Sequence, residues 1–137
     1  MHRKAQGSLE YILIFAFVLA ALIPLIVLFV NRSADITIEV TSRQVQSVGQ
    51  AIADRAESVY YLGEPSKATI RVFMPEGIHN ASLMNRALVF KLRTLQGGLS
   101  DIVISADVNL TGTVATSAGI HFIILENKGT YVRINST

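Results

Sequence analysis

The hydrophobic pattern divides the chain into three regimes. From Tyr11 to Val30, twenty residues run without a charge and without Asn, Gln, Ser or Thr. As a helix rising ~1.5 Å per residue, this stretch is about 30 Å long, the thickness of a bilayer's hydrocarbon core. A chain of 137 residues is too small to bury such a run in its own core. The run therefore predicts a membrane-length helix over Tyr11–Val30. From Ile38 the pattern changes. Ile38, Val45, Val48, Ile52, Ala56 and Val59 recur at helical spacing, with Arg43, Gln44, Gln46, Gln50, Asp54 and Glu57 on the other faces. This is an amphipathic helix continuing the first over 31–63, ending near Leu62, with Gly63 and Pro65 as stop signals. Ile36, Ile38 and Val40 also alternate as a strand would, but the stripe through Ile38 favours helix.

Beyond Pro65 the period shortens to two. Ile70, Val72 and Met74 alternate with Arg71 and Phe73, and Leu88, Phe90 and Leu92 with Val89, Lys91 and Arg93. From Asp101 to Val114, Ile102, Ile104, Ala106, Val108 and Leu110 alternate with mostly polar residues. These patterns predict half-buried antiparallel strands. Gly119–Leu125 is apolar on both faces and suits a central strand. Glu126–Gly129 reads as a hairpin turn into Thr130–Asn135, and Leu95–Ser100 as another turn. The expected fold is α+β: a long N-terminal helix, membrane-spanning in its first half and amphipathic in its second, packed against a small C-terminal antiparallel β-domain. That domain, 64–137, should hold four or five strands. Alone it would be marginal, so the amphipathic helix should complete its core.

The flanks of the apolar run add orientation. Arg3 and Lys4 precede it, while Arg32 beyond it is offset by Asp35 and Glu39. The positive-inside rule then places the N-terminus in the cytoplasm and the C-terminus outside. A secretory signal peptide fits poorly, because the run exceeds a usual h-region and the small-residue cleavage signal after it is weak. Pro24 removes one helical hydrogen bond and predicts a kink or a locally melted turn near Ala20–Pro24.

The segment KAQGSLEYIL, Lys4 to Leu13, resembles the class III signal of archaeal type IV pilin-like prepilins. A basic residue, a small residue, Gln6, and then Ser8-Leu9-Glu10-Tyr11 lead into the apolar helix. Ala5 stands where Gly is commoner in that family, and is likewise small. The resemblance implies a leader of 1–5, cut between Ala5 and Gln6 by a prepilin peptidase. Lys4, Ala5 and Gln6 would form the processing site, and Glu10 the fifth residue of the mature chain. It also implies a pilin-like fold in which 6–30 forms a filament core. The partners implied are other copies of this chain, an assembly ATPase and a membrane platform protein, with membrane lipid around the helix before assembly.

Glu10 is the position where physics and resemblance meet. A carboxylate near the centre of a membrane helix costs about 2.5–3.5 kcal/mol, and less toward the end. Such a group is expected to have a partner. Cleavage creates one, since the new amine of Gln6 has a reference pKa of ~7.7–8.0 and is mostly protonated at neutral pH. Gln6 and Glu10 can meet within one helix or between neighbouring subunits. The pair reads as a registry device; the bland alternative is a carboxylate solvated in the headgroup layer.

Charge and chemistry narrow the function further. Losing Met1–Ala5 removes Arg3 and Lys4, leaving 12 − 2 = 10 basic against 10 acidic residues. The neutral mature chain argues against an overall affinity for nucleic acid. There are no cysteines, and His2, His79 and His121 are scattered. No metal cluster, phosphate loop or nucleophile motif is present, so no cofactor and no enzymatic activity are expected. Asn31, Asn80, Asn109 and Asn135 all head N-glycosylation sequons. With six asparagines and 20 Ser plus Thr among 137 residues, chance predicts about one sequon. Asn80 and Asn109 are the stronger candidates, since Asn31 adjoins the membrane and Asn135 the terminus. The expected role is a pilin of an adhesive surface filament, in the membrane first and outside the cell after assembly. A membrane-anchored surface receptor or adhesin that never polymerises, and an archaellin-like subunit, remain as alternatives.

Overall fold

The computed structural model describes the backbone of residues 3–94 and 97–137, and the side chains of 7–32, 37–94 and 97–137. One helix, α1, spans Arg3–Tyr61, and seven strands follow. Two compact units divide the chain, Met1–Thr37 and Ile38–Thr137.

The first unit is helical throughout its described backbone. Its helical assignment passes through Pro24 without interruption. Its large apolar side chains from Leu9 to Val30 are exposed. The most apolar 18-residue window of this helix has a mean hydropathy of 3.2 and none of it is buried. Length and composition alone make it a candidate membrane span.

In the second unit, α1 continues to Tyr61, so the alternation at Ile36–Val40 is helix and not strand. The stripe then meets the sheet as its spacing predicts. Val45, Ile52, Ala53, Ala56 and Val59 are buried in one core with residues from both sheets. Gly49 lies on this stripe. A Cβ built there would stand 2.6 Å from Ile104 Cδ1 and 3.1 Å from Phe90 Cε2. Mid-helix Gly costs about 1 kcal/mol relative to Ala, and here it admits the close approach of the sheet. After Tyr61 the chain leaves the helix, with Gly63 N–H donating to Tyr60 O at 3.1 Å.

The strands are β1 (Lys67–Met74), β2 (Ile78–Met84), β3 (Ala87–Arg93), β4 (Leu99–Ser105), β5 (Leu110–Gly112), β6 (Gly119–Asn127) and β7 (Val132–Ser136). They form two sheets, β1-β6-β7-β5 and β2-β3-β4. Among the described residues, seven strands in two sheets replace the four or five expected from sequence. The run Asp101–Val114, read as one strand, leaves the ladder after Ser105 and re-enters the other sheet at Leu110. Its burial alternation survives the break, because Ala106, Val108 and Leu110 all enter the core. β5 pairs parallel to β7, against the expectation of antiparallel pairing throughout. β2 carries too little alternation to be read in advance: its burial is mostly partial, and its register with β3 shifts between Ile78 and Asn80. β6 is central between β1 and β7, as its apolar composition suggests. The turn at Leu95–Ser100 lies partly outside the described residues; from Gly97 on it is closed by Gly97 N–H to Thr94 O at 3.0 Å.

Candidate functional site

The N-terminal helix presents one charged side chain between Gly7 and Val30, that of Glu10. It is exposed, beside exposed Leu9, Tyr11, Leu13 and Ile14. No described side chain pairs with it. In a bilayer this carboxylate would face hydrocarbon or the interface without a partner from its own described helix. The side chains of Lys4, Ala5 and Gln6, and all of His2, lie outside the described residues. The proposed processing site is thus placed on the α1 backbone, and its side-chain geometry is not described. Pro24 sits on the same apolar segment.

The sequon asparagines all reach solvent. Asn31 is exposed on α1, although Ser33, its sequon partner, has no described side chain. Asn80 is exposed on β2, at the register shift. Asn109 is exposed just before β5, and its carbonyl accepts Val132 N–H at 2.8 Å. Asn135 is exposed on β7, opposite Ile124 of β6. His79 is exposed on β2, and His121 Nε2 lies 2.9 Å from Ser117 O and 3.2 Å from its hydroxyl. Among the described residues, no group of His, Asp and Glu could hold a metal ion.

Sequence reasoning missed Asn127. It sits within the segment read as a simple turn, yet it is 3 % exposed, the buried polar residue of this core. Its Nδ2 donates to Val59 O at 3.1 Å and to Tyr60 O at 3.0 Å. Its Oδ1 accepts Gly129 N–H at 2.7 Å, and its own N–H donates to Ser66 O at 2.9 Å. One side chain thus satisfies the Val59 carbonyl, which has no helical partner, gives the Tyr60 carbonyl a second donor beside Gly63 N–H, and shapes the β6–β7 turn. The signal for it was weak: an Asn at a strand end before Lys-Gly usually marks only a turn.

Asn127→Ala should destabilise the folded domain by about 1–3 kcal/mol, because it strands the buried Val59 carbonyl. Asn127→Asp should be worse at pH 7 than at pH 4. An ionised carboxylate cannot donate to the two carbonyls, so its folded-state pKa would rise above the unfolded value. The penalty is then present at neutral pH and shrinks as pH falls through the folded pKa. Urea unfolding of the detergent-solubilised chain at the two pH values measures both effects. Equal losses at both would count against the carbonyl contacts.

No curated protein and no solved structure matches the chain. Residues 3–29 match the family model of the class III signal peptide. Such signals are processed by prepilin peptidase and belong to type IV pilin-like or archaellin-like secreted subunits assembled by pilus machinery. The signal and the apolar helix together indicate membrane anchoring followed by export to the surface. The chain therefore carries a class III signal peptide at the head of an α+β, pilin-like fold.

Proposed function

We propose that the chain is a pilin, the structural subunit of an archaeal type IV pilus-like surface filament serving adhesion. Prepilin peptidase cuts it between Ala5 and Gln6, leaving Gln6 as the mature N-terminus. An assembly ATPase and a membrane platform protein then move the mature subunit from the bilayer into a filament of its own copies. The 6–30 helices form the filament core, and the β-domains its surface, with glycans at Asn80 and Asn109. Pro24 is where the core helix can bend. The protein has no catalytic role.

One observation carries this reading. A class III signal over residues 3–29 heads a helix whose large apolar side chains from Leu9 to Val30 are exposed in the single chain. Lipid covers them before assembly and neighbouring helices afterwards. Filaments sheared from native cells should contain the chain. Recovery from membranes alone would favour an anchored surface protein, and loss of swimming on deletion would favour an archaellin-like subunit.

A further inference from the structure

A sheet edge exposes unpaired N–H and C=O groups, and most proteins blunt such edges. Two of the four edges here are blunted. β5 is three residues long, and β2 carries a register shift. They also lie beside one another, with Leu110 N–H donating to Asn85 O. The other two edges are open. β1 has eight residues and β4 seven, and neither contains a proline or a register shift. β1 is an edge of the four-stranded sheet and β4 an edge of the three-stranded one. Among the described residues, no backbone hydrogen bond beyond their own sheets engages either strand.

The side chains on these edges are complementary. The outward row of β1 is Lys67, Thr69, Arg71 and Phe73, and that of β4 is Leu99, Asp101, Val103 and Ser105. Phe73 is 60 % and Leu99 53 % exposed. Lys67 and Arg71 form no salt bridge with a described carboxylate. Asp101 lies 3.6 Å from Lys91 and keeps half its side chain in solvent. Pairing β1 with β1, or β4 with β4, would bring like charges together, which is unfavourable. Pairing β1 with β4 sets opposite charges against each other. In the antiparallel alignment centred on Arg71 and Asp101, Phe73 falls opposite Leu99 and Thr69 opposite Val103. On the inner side Ile70 meets Ile102, both of them partly buried residues at the margin of the core.

We propose that β4 of one copy pairs antiparallel with β1 of the next, so that the β-layer continues from subunit to subunit. This inference rests on the filament reading above. The contact is heterologous: each copy offers a different strand on each side. Repeated, such a contact builds an open helical array and not a closed dimer. Main-chain bonds supply affinity, and the Arg71–Asp101 and Phe73–Leu99 pairs set the register.

The chain has no cysteine, so an engineered pair gives a clean test. Phe73→Cys combined with Leu99→Cys, oxidised in sheared filaments, should give a ladder of multimers that reductant collapses. Each single variant should give none. As a second readout, Arg71→Asp or Asp101→Arg alone should lower filament yield roughly fivefold or more, and the double exchange should restore it. Wild-type filaments containing the chain, with no ladder and no restoration, would overturn the strand pairing and leave the filament reading standing. Absence of the chain from wild-type filaments would overturn both.

Discussion

Glu10→Ala is expected to leave the chain in the membrane and reduce its recovery in sheared filaments by at least about a hundredfold. The Glu10 carboxylate is exposed among exposed apolar side chains, with no described partner. Cleavage at Ala5 would place a new ammonium four residues before it, at the positive end of the helix, where a nearby carboxylate is favoured. Once helices pack and exclude water, an amine left without its carboxylate is an uncompensated buried charge. Removing one member of a buried pair costs about 3–5 kcal/mol, and about 1.4 kcal/mol is a factor of ten. Glu10→Gln should recover part of the yield, since an amide still accepts a hydrogen bond from the amine. Both variants should insert and be cleaved normally, which N-terminal peptide mapping of the membrane fraction checks. Normal assembly of Glu10→Ala would remove the pairing account.

The second large effect lies in the β-domain. Gly112→Ala is expected to lower the melting temperature of the domain by more than ~10 °C. Gly112 ends β5 with φ at +119°. A Cβ built there would stand 1.9 Å from Ile134 O and 2.9 Å from Ile134 C, both backbone atoms. The neighbouring chain cannot retreat without loss, because Thr113 N–H donates to that same Ile134 oxygen at 2.9 Å. Relief would break the parallel β5–β7 pairing and pull Leu110 from the core. Gly63→Ala is the control. It also has positive φ, at +81°, but nothing lies within 4 Å of its added Cβ, so backbone strain alone should cost about 1–2 kcal/mol. Near-UV dichroism of the detergent-solubilised chain reports both, through Tyr60 and Tyr131. Equal losses for the two variants would show that conformation, and not the close approach to Ile134, governs the site.

The parts of this fold legible in sequence are those where local periodicity and burial coincide. Val45, Ile52, Ala56 and Val59 recur at helical spacing because one side of α1 enters the core. Val72 and Met74 alternate with exposed Phe73 because β1 buries one face. Where periodicity continues past a change of partner, it misleads. Ala106, Val108 and Leu110 keep the two-residue burial period across the gap between two sheets, so the period alone implied one strand. The parallel partner of β5 depends on a strand more than twenty positions away, which no local pattern encodes. β2 escaped notice because Ile78–Met84 is mostly half-buried and so scarcely alternates.

The candidate site was legible for a different reason. Glu10 stands out because a carboxylate at the head of an apolar run is costly, and the ten residues Lys4–Leu13 supply its context. Asn127 was illegible because its role depends on carbonyls nearly seventy positions earlier. Its residue type is common in turns, and only burial separates a turn Asn from one that caps a helix.

The most direct test of the filament account is the intact mass and N-terminal peptide of the chain in filaments sheared from its native cells, compared with the membrane fraction. The account predicts a filament chain beginning at Gln6 with a free amine, and added mass on Asn80 and Asn109. A chain confined to membranes and still beginning at Met1 would contradict it, leaving Glu10 a carboxylate at the membrane interface and the protein an anchored surface domain.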